Sequence, residues 1–442
     1  MTQTATKLAA EIRSGQVSSR EVTEQLLERI AADTTVNAVV ETRPEYAVRA
    51  AAVADELVAA GRETGPLHGV PMTIKEAFAV AGMHSTWGNR MFADAVLDWD
   101  ATVADRLTAA GAIIVGKTNV HAMLADFGQT VNEVYGRTSN PIDPSLVPGG
   151  SSGGSAAALA AGLTYLEYGS DLVGSIRLPA AYCGVYGLKP TAGVVPLRGL
   201  QPPGEPLLEL EFPSMSNVGP LATSAADLRT ALRVTGGPAV PSAYSWQLRP
   251  PRHRRLADYR VGVVLDHPAA RVSAEVGEVL SGLVDRIAAS GATIVDGWPA
   301  GVDPVEQAEA FGIQVGTTMA AFGDSTESGD FGEVLAHERR RVELRATWQR
   351  YFDDIDVFLC PTSFTTAFPH DDRPFDQRTI TTSYGEQRYD AQVFWIAHAT
   401  LTGLPALSMP AGVTRAGLPV GAQVIGPWHE DDTAITFAEL LD

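Results

Sequence analysis

Only two of the 442 residues are cysteine, Cys183 and Cys360. Two isolated thiols build neither a disulfide framework nor a zinc site, so a reducing cytoplasm is the simpler expectation. Basic residues are also few: 33 against 52 acidic, a formal net charge of −19. That excess favours solubility and disfavours a sequence-independent grip on phosphate backbones, so no nucleic acid partner is expected. Long apolar runs are missing too. The longest, Ala156 to Leu166, holds a threonine and a tyrosine and is too short to span a bilayer, so no membrane partner is expected. Met1 to Gln16 lack a basic stretch followed by an apolar one and so give no sign of a signal peptide. The remainder is 45% hydrophobic and 19% charged, the composition of a globular chain with a large core.

Helical and strand patterns alternate along the chain. Leu8, Ala9 and Ile12 share a helical face that Gly15 terminates. Ser18 with Glu21 predicts a capped second helix. A strand is expected over Val36 to Glu41, a helix over Glu45 to Ala60, a buried strand over Val70 to Ile74, a helix over Thr102 to Ala110 and a strand over Ala112 to Gly116. Ser155 to Ala161 reads as a helix and Leu163 to Tyr168 as a strand. Pro238 to Arg255 is the best candidate linker. Beyond it the pattern resumes with a strand at Val261 to Leu265, a helix at Ser273 to Ser290, a strand at Thr293 to Val295, a charged helix at Leu335 to Phe352, and short strands at Asp356 to Pro361 and Leu404 to Met409. Such alternation predicts an α/β layered fold, with one large domain favoured over two.

Chemistry concentrates in two glycine-rich stretches. Gly149-Gly150-Ser151-Ser152-Gly153-Gly154-Ser155 is followed by Asp171-Leu172-Val173-Gly174-Ser175-Ile176-Arg177. Glycines beside a serine let backbone approach a reacting atom closely. The first stretch also has linker composition, and its resemblance to a phosphate loop fails because no Gly-Lys-Ser/Thr follows. Serine needs a base to act as a nucleophile, and none of the nine histidines lies in a glycine-rich motif. A neutral lysine can serve instead. Lys75 follows the apolar run Val70 to Ile74, which favours burial, and burial lowers a lysine pKa by up to about 3–5 units. Read alone, Lys75 is more readily a surface lysine at a strand end or a partner of Glu76, and Ser175 is equally part of an ordinary tight turn or of one whose exposed N–H groups could form an oxyanion hole.

Taken together these pieces resemble the amidase signature family. The matching core runs through residues 69–191, including Gly116-Lys117-Thr118-Asn119, Asn140-Pro141, Pro148 to Ser155, Gly169 to Arg177 and Gly187 to Thr191. A C-terminal motif lies at 403–427, with Gly403-Leu404-Pro405-Ala406 and Gly417 to Gly421. The resemblance implies a single large α/β/α domain over residues 1–442, a mixed central β-sheet covered by helices on both faces, and amide hydrolysis through an acyl-enzyme without metal or cofactor. It implies Ser175 as nucleophile, Ser151 as proton relay after a cis peptide bond from Gly150, and Lys75 as neutral base. The N–H groups of Leu172, Val173, Gly174 and Ser175 would hold the oxyanion, with Ser152, Asp171 and Arg177 in support.

One departure stands out. The family has Gly-Gly-Ser where this chain has Val173-Gly174-Ser175. Valine keeps its N–H but loses freedom at positive φ and adds a branched side chain, so a narrowed pocket or altered acyl preference is expected. Trp87, Met123, Phe127 and Trp395 are candidate linings of an acyl pocket, each also readable as core. The leading expectation is a cytoplasmic amidase acting on a small-molecule amide, with a homodimer as an option. The alternatives are the glutamine-hydrolysing subunit of a tRNA-dependent amidotransferase and a biosynthetic acyltransferase that passes the acyl group to an amine.

Overall fold

The computed structural model describes residues 3–205, 215–239, 245–321 and 331–442. Its centre is an eight-stranded mixed sheet. In spatial order the strands are Thr293–Asp296, Arg260–Val263, Val357–Pro361, Pro419–Ile425, Ala406–Val413, Tyr186–Lys189, Asn217–Ala222 and Glu167–Asp171. The first three run parallel and every later pairing is antiparallel. A smaller sheet, Val39–Thr42, Ile113–Thr118 and Pro71–Lys75, lies beside its Glu167–Asp171 edge. Helices complete the expected α/β architecture, and among the described residues none is long and apolar enough to cross a membrane.

Local chemistry accounts for the elements. Ser18 caps the helix Ser19–Ala32 by accepting from the Glu21 N–H, as the Ser-x-x-Glu spacing predicts. Gly15, at φ 72°, takes the left-handed conformation just past the first helix. Inner strands such as Val357–Pro361 are buried along their whole length, which their unbroken apolar runs require.

Two expectations shift. The strand foreseen at 163–168 forms instead at Glu167–Asp171, because its ladder partner Asn217–Ala222 pairs Glu167 with Leu221 and Asp171 with Asn217. The strand foreseen at 36–41 begins only at Val39, where it pairs with Thr118. In both cases the partner strand, not the apolar run, set the boundary.

The candidate linker does not part the sheet. Residues 240–244 lie outside the described residues, but strands on both sides of the segment belong to one sheet. Its C-terminal part is tied down by Arg249 and Arg252, which both pair with Glu430. Cys183 and Cys360 are buried and unpaired with each other.

Candidate active site

Lys75 ends the strand Pro71–Lys75, every residue of which is buried. Its Nζ lies 2.7 Å from Ser151 Oγ, 2.9 Å from Ser152 Oγ and 2.8 Å from Ser170 Oγ. Burial drives the amine down to about 7, against the negative charges of Asp171 and Glu167, which pull it up. A neutral amine has two N–H groups and one lone pair, so one of the three hydroxyls must donate to it. Ser152 Oγ is within 3.4 Å of the Ser170 carbonyl, to which it donates. Ser151 and Ser170 are left to supply the donor.

A low pKa does not by itself single out Lys75. Burial lowers Lys117 to about 8 and Lys189 to about 7. Their amines face carbonyls: Glu76, Phe78 and His84 for Lys117, Pro190 for Lys189. A carbonyl has no proton to give. Lys75 alone of the three meets hydroxyls.

The glycine loop holds the serines in place sterically. The Gly150–Ser151 peptide is cis, as the family resemblance implies. A Cβ on Gly150 would fall 2.2 Å from the Gln129 carbonyl oxygen, so only glycine fits there. The loop runs into the helix Gly153–Ala160, and the Ser152 N–H donates to the Ser175 carbonyl at 3.3 Å. That bond joins the two serine stretches. The Ser175 side chain is nearly buried, and its hydroxyl has no hydrogen-bond partner among the described residues.

Asp171 and Arg177 organise the Ser175 turn. Asp171 Oδ1 accepts from the Gly174 N–H at 3.0 Å, and Oδ2 accepts from the Ile176 and Arg177 N–H groups at 3.2 and 3.4 Å. The fully buried Arg177 grips the same carboxylate through Nε at 3.0 Å and Nη2 at 2.8 Å. It also donates to Gln423, Thr400 and the Ile396 carbonyl. Burial pushes the Asp171 carboxyl up, but the charge and hydrogen bonds of Arg177 outweigh it and leave the group below its ordinary value.

This capping bears on the expected oxyanion hole. The Gly174 N–H is already taken up by Asp171. The N–H groups of Leu172, Val173 and Ser175 carry no hydrogen bond among the described residues. Gly174 has φ 85° whereas Val173 is not at positive φ. The glycine therefore sits where the turn needs one, and valine stands next to it without backbone strain.

The apolar wall beside the turn differs from the candidates read in the sequence. Leu172 and Val173 pack with Met215, Phe311, Ala397 and Leu401. Trp395 is wholly buried, donates to the Ala270 carbonyl and stacks on Trp298. Phe127 packs on Phe375 and Tyr389, Trp87 joins Ala77 and Val120, and Met123 is exposed. Phe311 and Ala397 come from the weakly matching region 237–400, which explains why the motifs gave no sign of them. Ser170 was also missed, although it stands one residue before Asp171.

A mixed α/β sheet that carries a buried amine onto serine hydroxyls beside a capped serine turn defines a hydrolase of amide carbon–nitrogen bonds. The chain belongs to the amidase signature family: the family model Amidase matches residues 21–315 and 302–435. It is 33% identical to a glutamyl-tRNA(Gln) amidotransferase subunit of Synechococcus sp. (strain CC9605), covering 94% of this chain and 91% of that one. It is likewise 33% identical to the corresponding subunit of Deinococcus deserti (strain DSM 17065 / CIP 109153 / LMG 22923 / VCD115), covering 99% and 96%. A solved chain from a vestigial protein complex bearing on the origins of an s-triazine catabolic enzyme superposes with a TM-score of 0.84 at 26% identity, covering 99% of this chain and 98% of that one. These relatives correct the expected partner set, a small-molecule amide without nucleic acid. The Synechococcus and Deinococcus proteins are both named as subunits of an enzyme for glutamyl-tRNA(Gln). The net charge of one chain does not tell what a multi-subunit assembly binds.

Proposed function

We propose that this chain is the glutamine-hydrolysing subunit of a tRNA-dependent amidotransferase, releasing ammonia for a partner. The observation that carries this reading is the 33% identity to a glutamyl-tRNA(Gln) amidotransferase subunit over 94% of the chain. The contact between Lys75 and Ser151 supports the chemistry. Neutral Lys75 takes the Ser151 proton as Ser151 takes that of Ser175, and Ser175 Oγ attacks the carboxamide carbon. The oxyanion is met by the N–H groups of Leu172, Val173 and Ser175. The proton held by Lys75 returns through Ser151 to the leaving nitrogen, ammonia departs, and water then cleaves the acyl-enzyme at Ser175. Ser152, Asp171 and Arg177 hold the geometry. The tRNA contact falls to a partner protein, in keeping with the net charge of −19, and a tRNA-linked reaction fits a cytoplasmic enzyme. Residues 1–442 act as one catalytic domain, a reading that the sheet shared across 238–255 supports.

The test is ammonia release from glutamine by the full chain, with and without amidotransferase partner subunits, beside Ser175→Ala. Release that partners stimulate and Ser175→Ala abolishes is the expected result. A lone chain that turns over simple amides at full rate and ignores glutamine would replace this reading with a self-sufficient amidase.

A further inference from the structure

Next to the strand that carries Lys75 lies a buried acid that the proposed reaction does not use. Glu167 opens the strand Glu167–Asp171 and is completely buried. Its Oε1 accepts from Thr73 Oγ1 and its Oε2 from Thr118 Oγ1 at 3.3 Å, while Thr118 Oγ1 is 3.0 Å from Ser155 Oγ. Among the described residues it makes no ion pair. Thr73 stands two residues before Lys75, hence on the same face of its strand, and Thr118 is the cross-strand neighbour of Lys75. Three residues on from Glu167, Ser170 receives Lys75 itself. The strands Pro71–Lys75 and Glu167–Asp171 belong to different sheets, and these two side-chain contacts link them.

From this arrangement, and resting on the assignment of Lys75 as base, we propose that Glu167 is a positioning residue for Lys75: its hydroxyl-held carboxyl fixes the end of the lysine strand and supplies negative charge toward the amine as it takes up a proton. Asp171, the other acid acting on Lys75, is already neutralised by Arg177, whereas Glu167 has no other cation among the described residues. Burial raises the Glu167 carboxyl to about 8 while the hydroxyls of Thr73, Ser155 and Thr118 draw it back, so near neutrality most of it is protonated and a minor fraction carries charge. The other elements around them add little charge. The helix Gly153–Ala160 and the strand Asn217–Ala222 contain no titratable residue. Lys117, on the strand Ile113–Thr118, turns its amine toward carbonyls. Lys189 acts on Asp171. The helix Ser19–Ala32 pairs Arg20 with Glu24 at the surface.

Removing the carboxylate withdraws a charge that favours the ammonium, so the midpoint of Lys75 falls. The readout needs no substrate: the rate at which a fluorophosphonate serine probe labels the full chain, followed from about pH 5 to about pH 9 around the lysine midpoint. Labelling is expected to rise with pH in the unaltered chain, with a midpoint lower in Glu167→Gln by a fraction of a unit, since the carboxyl is only partly ionised there. Thr118→Val, which removes a donor that favours the carboxylate, should move the midpoint the same way by less. An unmoved or raised midpoint in Glu167→Gln overturns the inference, even if its melting temperature falls, since that is all a purely structural role would do. Should that variant not fold, the same result in Thr118→Val overturns it. Lys75→Ala that labels at the full rate with an unchanged midpoint would instead remove the assignment of Lys75 as base.

Discussion

Lys75 Nζ stands 2.7 Å from Ser151 Oγ, a contact between residues 76 positions apart in the chain. It joins the end of one strand to the glycine loop, and burial leaves its amine at about 7. The basic form of Lys75 is therefore substantially populated at neutral pH without any histidine.

Activity should rise with pH through a midpoint near 7, where burial has placed the Lys75 amine. Lys75→Ala is expected to lose the base and most of the rate, by a factor of roughly 10³ or more. A pH profile of hydrolysis checks this. A residual rate that keeps the same midpoint would assign that titration to another group.

The same lysine should weaken the fold. Its folded value, about 7, lies below the ordinary 10.5. Between those limits the unfolded chain binds a proton that the folded chain does not, so stability rises with pH across the window and the penalty is greatest below it. Lys75→Met is expected to be inactive yet more stable near neutral pH, by roughly 1–3 kcal/mol after the lost hydroxyl contacts are subtracted. Urea unfolding at about pH 7 and about pH 10 measures it, and the gain should shrink at the higher pH.

Arg177 and Asp171 form a wholly buried ion pair. Arg177→Met leaves the carboxylate buried without its cation and should cost about 3–5 kcal/mol. Adding Asp171→Asn should recover part of that loss, and denaturant melts of both variants test it. Equal losses in the single and double variants would mean that packing, not charge, dominates.

The two residues before Ser175 should respond oppositely. Gly174→Ala puts a Cβ at φ 85°, about 3.0 Å from Ile396 and Leu178, and is expected to cost roughly 1–3 kcal/mol and to displace the neighbouring N–H groups. Val173→Gly removes no strained conformation. It should widen the acyl side next to Phe311 and Ala397 and alter acyl preference while the fold survives. Rates across an acyl series read the difference, and an unchanged preference would dispose of the steric role given to Val173.

Much of the site is legible in the chain because glycine is chemically specific. Gly150 and Gly174 mark places where a Cβ cannot fit or φ must be positive, and the serines ride on those turns. Helix starts are similarly local, as the Ser18 cap shows. The strand at Glu167–Asp171 was misplaced because its limits depend on Asn217–Ala222, about fifty positions away in the sequence. Net charge is a weak guide to partners because it averages over a surface and carries no information on what another subunit would supply.

The sequence by itself determined the α/β class, the paired serine turns and a lysine at the end of an apolar strand, since these follow from backbone sterics and short-range periodicity. Only the tertiary structure decided which of three buried lysines faces hydroxyls, that the Gly174 N–H is engaged by Asp171, and that Glu167 takes the hydroxyls of Thr73 and Thr118, the neighbours of Lys75. Hydrogen bonds and desolvation act over a few ångströms of space, and separation along the chain does not encode that distance.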